Sequence, residues 1–129
     1  MRILLDTACW LWVLAEPKRF SARTRRLLVS PDTEIVLSAA SAWEIAIKYA
    51  LGKLPLPAAP ADYVPRMMRE TRTVALAIEP KHALRVADLP AHHRDPFDRL
   101  LIAQAQLEKL KLLTADEQFE NYDVELVAP

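Results

Sequence analysis

The stretch "RDPFDRLLIAQAQLEKLKLLTAD", residues 94–116, carries a helix start, a helix and a strand in one run. Asp95 suits an N-cap, Pro96 the first helical position, and Asp98 the acidic position one turn in. The pattern from 96 to 109 is mostly apolar at helical spacing, and "KLLT" at 111–114 reads as a short buried strand. If the helix packs antiparallel to that strand, its N-terminus lies beside the strand's carboxyl end. Asp95, Asp98 and Asp116 then meet at one edge of a sheet.

The rest of the chain repeats this alternation. Apolar runs at 3–5 ("ILL"), 34–38 ("EIVLS"), 73–78 ("TVALAI") and 124–127 ("VELV") read as further strands. Helical patterns lie between the strands at 8–15, 21–29, 41–51, 62–71 and 80–88. Continuous apolar strands separated by helices predict an α/β/α sandwich with a mostly parallel central sheet of about five strands. Gly52, the single glycine, follows "SAWEIAIKYAL" where a left-handed cap is needed, and Pro55, Pro57 and Pro60 then keep the chain extended. Those prolines mark a loop, and residues 1–129 read as a single domain.

Composition narrows the function classes. The chain is 52% hydrophobic, with 17 basic and 17 acidic residues, so no overall field draws it to a polyanion; local patches or a metal must do so. The single cysteine, Cys9, excludes an intrachain disulfide. Asp6 interrupts the apolar N-terminal run, which argues against a signal peptide, and no run suits a bilayer span of ~20 residues. The expectation is a cytoplasmic protein with no membrane association.

Five acids fall at the predicted carboxyl edge, where open α/β sheets bind ligands. Asp6 directly follows the first strand, Glu44 lies in the first turn of the helix after the second, and Asp95, Asp98 and Asp116 complete the set. Each also has a structural explanation. Asp95 and Asp98 start a helix, Ser41 and Glu44 form S-x-x-E, a capping box, Glu44 and Lys48 are an i,i+4 pair, and Asp116 caps a short helix beginning there. Asp6 is harder to dismiss, because an unpaired charge between "ILL" and "TACWLWVL" is costly. These separate explanations do not account for convergence. Crowded carboxylates raise one another's pKa or bind a cation, and an all-oxygen set suits Mg²⁺ or Mn²⁺. Metal-dependent phosphodiester hydrolysis is the chemistry that follows.

The segments "RILLDTACWLW", "SAASAWEIAIKYALGKLPLP", "LPAHHRDPFDRLLIAQA" and "LLTADEQFENYDVELV" together resemble the PIN-domain ribonucleases, and more narrowly the VapC-like toxins of type II toxin–antitoxin modules. The resemblance spans essentially the whole chain. It implies a PIN-like fold and a metal-dependent endoribonuclease with Asp6, Glu44, Asp98 and Asp116 as the catalytic, Mg²⁺- or Mn²⁺-binding quartet. Asp95 would be a further member and Thr7 a hydroxyl supporting the first acid. It also implies an RNA substrate, a homodimer, a cognate antitoxin, and contact with operator DNA only through that antitoxin. One departure is Ala8, where members of this subgroup commonly carry histidine.

Other features are weaker. Lys18, Arg19, Arg23, Arg25 and Arg26 form a basic cluster that either grips phosphate or lies on a solvated helix face, with Arg23, Arg26 and Arg99 as candidate substrate contacts. Arg66, Arg69 and Arg72 flank Met67 and Met68, which suit a partner groove or core packing equally. Trp10, Trp12 and Trp43 are expected in the core or at a subunit interface, although such rings also stack on bases. His82, His92 and His93 lack metal-pair spacing and read as structural or substrate-adjacent. Cys9 reads as buried and inert. Two competing functions remain: a Mg²⁺-dependent phosphoacceptor signalling domain, and a PIN-like binding module whose nuclease site is unused.

Overall fold

The alternation of apolar runs becomes five strands and six α-helices in the computed structural model, which describes residues 1–129. The strands are β1 (Arg2–Leu5), β2 (Glu34–Ser38), β3 (Val74–Leu76), β4 (Lys111–Leu113) and β5 (Leu126–Val127). The helices are α1 (Thr7–Ala15), α2 (Ala22–Val29), α3 (Ala39–Ala50), α4 (Pro60–Glu70), α5 (Pro80–Arg85) and α6 (Pro96–Glu108). Short 3-10 turns at Pro17–Arg19, Val86–Asp88 and Glu117–Asn121 complete the order.

The sheet runs β3-β2-β1-β4-β5 and every pairing is parallel, so the sheet expected to be mostly parallel is wholly so. β1 is central: Leu4 pairs with Val36 on one side and with Leu112 on the other. Its alternation divides the core. Leu4, Val36 and Leu112 pack with Leu101, Ile102 and Ala105 of α6 and with Phe119, while Ile3, Leu5, Ile35, Leu37 and Leu113 pack with Cys9, Trp10, Ile45 and Val64 from α1, α3 and α4. With both faces covered, the strands have no polar side to show, which is why they read as continuous apolar runs.

Helix ends follow local chemistry, with three differences from expectation. α3 begins at Ala39 under a Ser38 cap, whose Oγ accepts the Ala40 N–H at 3.0 Å, so Ser41 caps nothing and Glu44 sits in the second turn. The earlier serine wins because it directly ends β2 and the helix starts without a linker. α6 ends at Lys109, which is left-handed (φ 55°), as is Arg72 after α4 (φ 54°); neither is a glycine a sequence reading would find. The run at 80–88 divides into α5 and a 3-10 turn. Gly52 is left-handed as expected, at φ 71°.

Several single-residue expectations resolve here. Met67 and Met68 pack against the core, Trp10 is fully buried, and Trp12 stacks edge-on with Phe20 under the Arg19 guanidinium. Trp43 differs from the core reading, with 59% of its surface exposed. Cys9 is buried, and burial with Asp6 beside it pushes its thiol well above the ordinary range, so it is inert.

Leu4 is fully buried in the central strand. Leu4→Ala is expected to cost about 2–5 kcal/mol in denaturant unfolding, since a central strand cannot collapse into the void. A loss below about 1 kcal/mol would contradict this packing.

Candidate functional site

An all-parallel sheet sends every strand's carboxyl end to one edge, and the acids gather there. Asp6 ends β1 and caps α1. Its backbone N–H continues the ladder to Leu113 O at 3.0 Å, one carboxylate oxygen accepts the Cys9 N–H at 2.8 Å, and the other accepts the Thr114 hydroxyl at 2.6 Å. The residue is 7% exposed, and burial raises its pKa against the pull of those bonds, with the Glu44 charge adding to the rise.

Glu44 enters from α3, also buried. The Thr7 hydroxyl donates to Glu44 Oε1 at 2.6 Å and lies 2.9 Å from the Ser41 hydroxyl, so Thr7 supports Glu44 while Thr114 supports the first acid. Glu44 Oε2 takes the Lys48 ammonium, whose pKa that bond raises. Lys48 is the only lysine or arginine paired with any of the five acids.

Asp95 caps α6, its Oδ1 accepting the N–H groups of Phe97 at 2.8 Å and Asp98 at 3.1 Å. Asp98 stands three residues after that cap, in the first turn of α6. Burial, then the neighbouring Asp95 charge, push its carboxyl up to about 7; His93 opposes the rise, and Glu44 and Asp6 add to it. Those mutual effects place Asp6, Glu44, Asp95 and Asp98 in one electrostatic neighbourhood. Asp116 joins through His93, whose Nε2 lies 3.0 Å from Asp98 Oδ2 and 2.9 Å from Asp116 Oδ2. Asp116 also caps the turn at 117–121, accepting the Gln118 N–H at 2.9 Å.

The three arginines expected at substrate are placed elsewhere. Arg23 and Arg26 line a cavity along the β5 flank of the sheet, from Met1, Lys111 and Glu125 at the strands' amino ends to Ala128 beyond β5, and pair with none of the five acids. Arg99 donates to the carbonyls of Val86 at 3.0 Å and Pro90 at 2.9 Å, so its guanidinium is engaged by the chain itself. His82 is a structural residue: its Nδ1 accepts the Glu79 N–H and its Nε2 meets Glu108, both at 3.0 Å. Thr114 escapes the sequence reading, which presents Ser41 only as a cap and His93 only as structural or substrate-adjacent. Thr114 could have been found from its place at the end of β4, two residues before Asp116; His93 carries no such signal.

A model of the PIN domain family matches residues 3–125. The chain belongs to the PIN-domain family. A curated relative, ribonuclease VapC16 of Mycobacterium tuberculosis, is 51% identical over 59 residues, 46% of this chain and 42% of the relative, so the match spans less than half of either protein. Solved structures share the whole architecture. VapBC2 from Rickettsia felis, bound to a DNA fragment from its promoter, superposes with a TM-score of 0.75 at 16% identity, covering 100% of this chain and 99% of that one. VapBC-1 from nontypeable Haemophilus influenzae gives 0.68 at 19% identity, covering 99% and 98%. At such identities the likeness is one of fold.

The donor set fits a hard divalent cation. The PIN-domain edge offers carboxylate oxygens from four segments with one lysine against them, and burial, then the neighbouring Asp95 charge, push the Asp98 carboxyl up to about 7. In metal-free protein the native state retains the Asp98 proton while an unfolded Asp releases it near pH ~3.9, so the native state binds more protons between the two values and stability falls as pH rises toward 7. Denaturant midpoints measured in chelator are therefore expected to drop between pH 5 and pH 8, with Asp98→Asn flattening the slope. An Asp98→Asn slope equal to the wild type's would contradict the raised Asp98 carboxyl.

Proposed function

We propose that this PIN-domain protein is a metal-dependent endoribonuclease, the toxin component of a type II toxin–antitoxin module, acting in the cytoplasm. The observation that carries the reading is the convergence of Asp6, Glu44, Asp98 and Asp116 on one edge under a single lysine. The ribonuclease name of the matched relative supports RNA as substrate. The toxin–antitoxin complexes among the fold neighbours, some of them DNA-bound, support a cognate antitoxin and operator DNA reached through it; a homodimer belongs to the same proposal. No helix is long and apolar enough to cross a membrane.

In this reading Asp6, Glu44, Asp98 and Asp116 hold Mg²⁺ or Mn²⁺, with Asp95 at the rim as the cap of α6. When bound, the cation would supply Lewis acidity and neutralise charge on the phosphodiester. The chain's own residues supply placement. Thr114 fixes one oxygen of Asp6, Thr7 fixes one oxygen of Glu44, and Lys48 balances the other. Hydrolysis adds water's oxygen to phosphorus, breaks a phosphorus–oxygen bond and returns a proton to the leaving sugar oxygen. Asp98, whose carboxyl is pushed up to about 7 by burial and the Asp95 charge, is the acid that would have to give up a proton for the site to hold the cation.

The test uses purified, antitoxin-free protein and a labelled single-stranded RNA. Cleavage is expected with Mg²⁺ or Mn²⁺ and none in chelator, and Asp6→Asn and Asp98→Asn should each lower kcat by at least about 100-fold. Unchanged cleavage in either variant overturns the reading. A protein that binds its antitoxin and leaves RNA intact under all metals is instead a binding module.

A further inference from the structure

We propose that His93 is a positioning residue that ties the acid of α6 to the acid after β4 and sets the spacing of the cation site, without being a ligand itself. The inference rests on the reading of this edge as a metal-dependent nuclease centre. His93 is largely buried, with 9% of its side chain exposed, and both ring nitrogens are engaged. Nδ1 accepts the Asp95 backbone N–H at 3.2 Å, so the ring proton sits on Nε2. That one N–H faces Asp98 Oδ2 at 3.0 Å and Asp116 Oδ2 at 2.9 Å. Nδ1 has spent its lone pair on the amide, and Nε2 offers a donor, so neither nitrogen is free to bind a metal as the ring stands.

The ring is itself held. The His92 and His93 N–H groups donate to the Tyr122 hydroxyl at 3.1 and 2.7 Å, and the His93 ring packs edge-on against Phe119 at 5.7 Å. Arg99, one residue beyond Asp98, reaches back to the carbonyls of Val86 and Pro90 and so anchors the loop that carries His93. The loop from 86 to 93 is thereby tied to α6 by Arg99 and to the end of the 3-10 turn by Tyr122. Asp98 and Asp116 come from different segments with no covalent reason to keep a fixed separation, and His93 is the group that bridges them. Hydrogen bonds of this outer kind commonly account for 10- to 100-fold of metal affinity.

The experiment measures Mn²⁺ affinity and RNA cleavage for wild type, His93→Ala, His93→Gln and Tyr122→Phe, with unfolding followed in parallel. His93→Ala is expected to weaken Mn²⁺ binding roughly 10- to 100-fold and to lower kcat more than it raises KM. His93→Gln, whose amide keeps a donor near the Nε2 position, should recover most of both losses, and Tyr122→Phe should show a smaller loss in the same direction. Pulsed electron paramagnetic resonance of the wild-type Mn²⁺ complex should show no directly coordinated ring nitrogen. Wild-type Mn²⁺ affinity in His93→Ala, no rescue by glutamine in a folded protein, or a coordinated nitrogen would each overturn the positioning role. Absence of Mn²⁺ binding by the wild type would instead remove the metal-site reading, and this inference with it.

Discussion

The central strand ends in a charge. β1 is paired on both sides, its three buried residues face both layers of the core, and the next residue is Asp6. Because its neighbours β2 and β4 are parallel to it, the same edge receives α3 after β2, the turn after β4, and the N-terminus of α6, which must run antiparallel to reach β4. The topology therefore forces carboxylates from four segments together, at a place where burial already disfavours charge. Every other feature of the edge can be read as an answer to that repulsion.

The answers are local and unequal. Asp6 and Asp95 accept backbone N–H groups at helix starts, where the helix dipole favours an anion. Glu44 has Lys48 and Thr7, and Asp6 has Thr114. Asp98 has least: His93 holds one oxygen, and burial beside Asp95 still pushes its carboxyl to about 7. Two acids three residues apart at the start of one helix thus divide the work, Asp95 as the cap and Asp98 as the group that the proposed cation would relieve. That division gives the family fold a chemical meaning in this chain beyond its likeness to other PIN domains.

Much of this was legible in the residues. The strands declared themselves as apolar runs because both faces are buried, and Gly52 marked its turn because a left-handed backbone favours glycine. The meeting of the acids followed from chain direction alone. What the sequence hid was register and reach. Ser38 and Ser41 are both capable caps, and only the absence of a linker after β2 chooses the first. Lys109 turns left-handed with no residue type to announce it. Arg23 and Arg26 look suited to phosphate, yet they line the β5 flank of the sheet and not the place where the acids meet. His93 reads in the sequence only as structural or substrate-adjacent, because its contacts are two oxygens brought to it by separate segments, which no spacing rule encodes.

The most direct test of the account is a crystal of the protein grown with Mn²⁺ and measured at a wavelength where manganese scatters anomalously. The account predicts an anomalous peak among the carboxylates of Asp6, Glu44, Asp98 and Asp116, lost in Asp98→Asn. A peak only at the separate Glu79, His82 and Glu108 cluster, or none at saturating Mn²⁺, would contradict it.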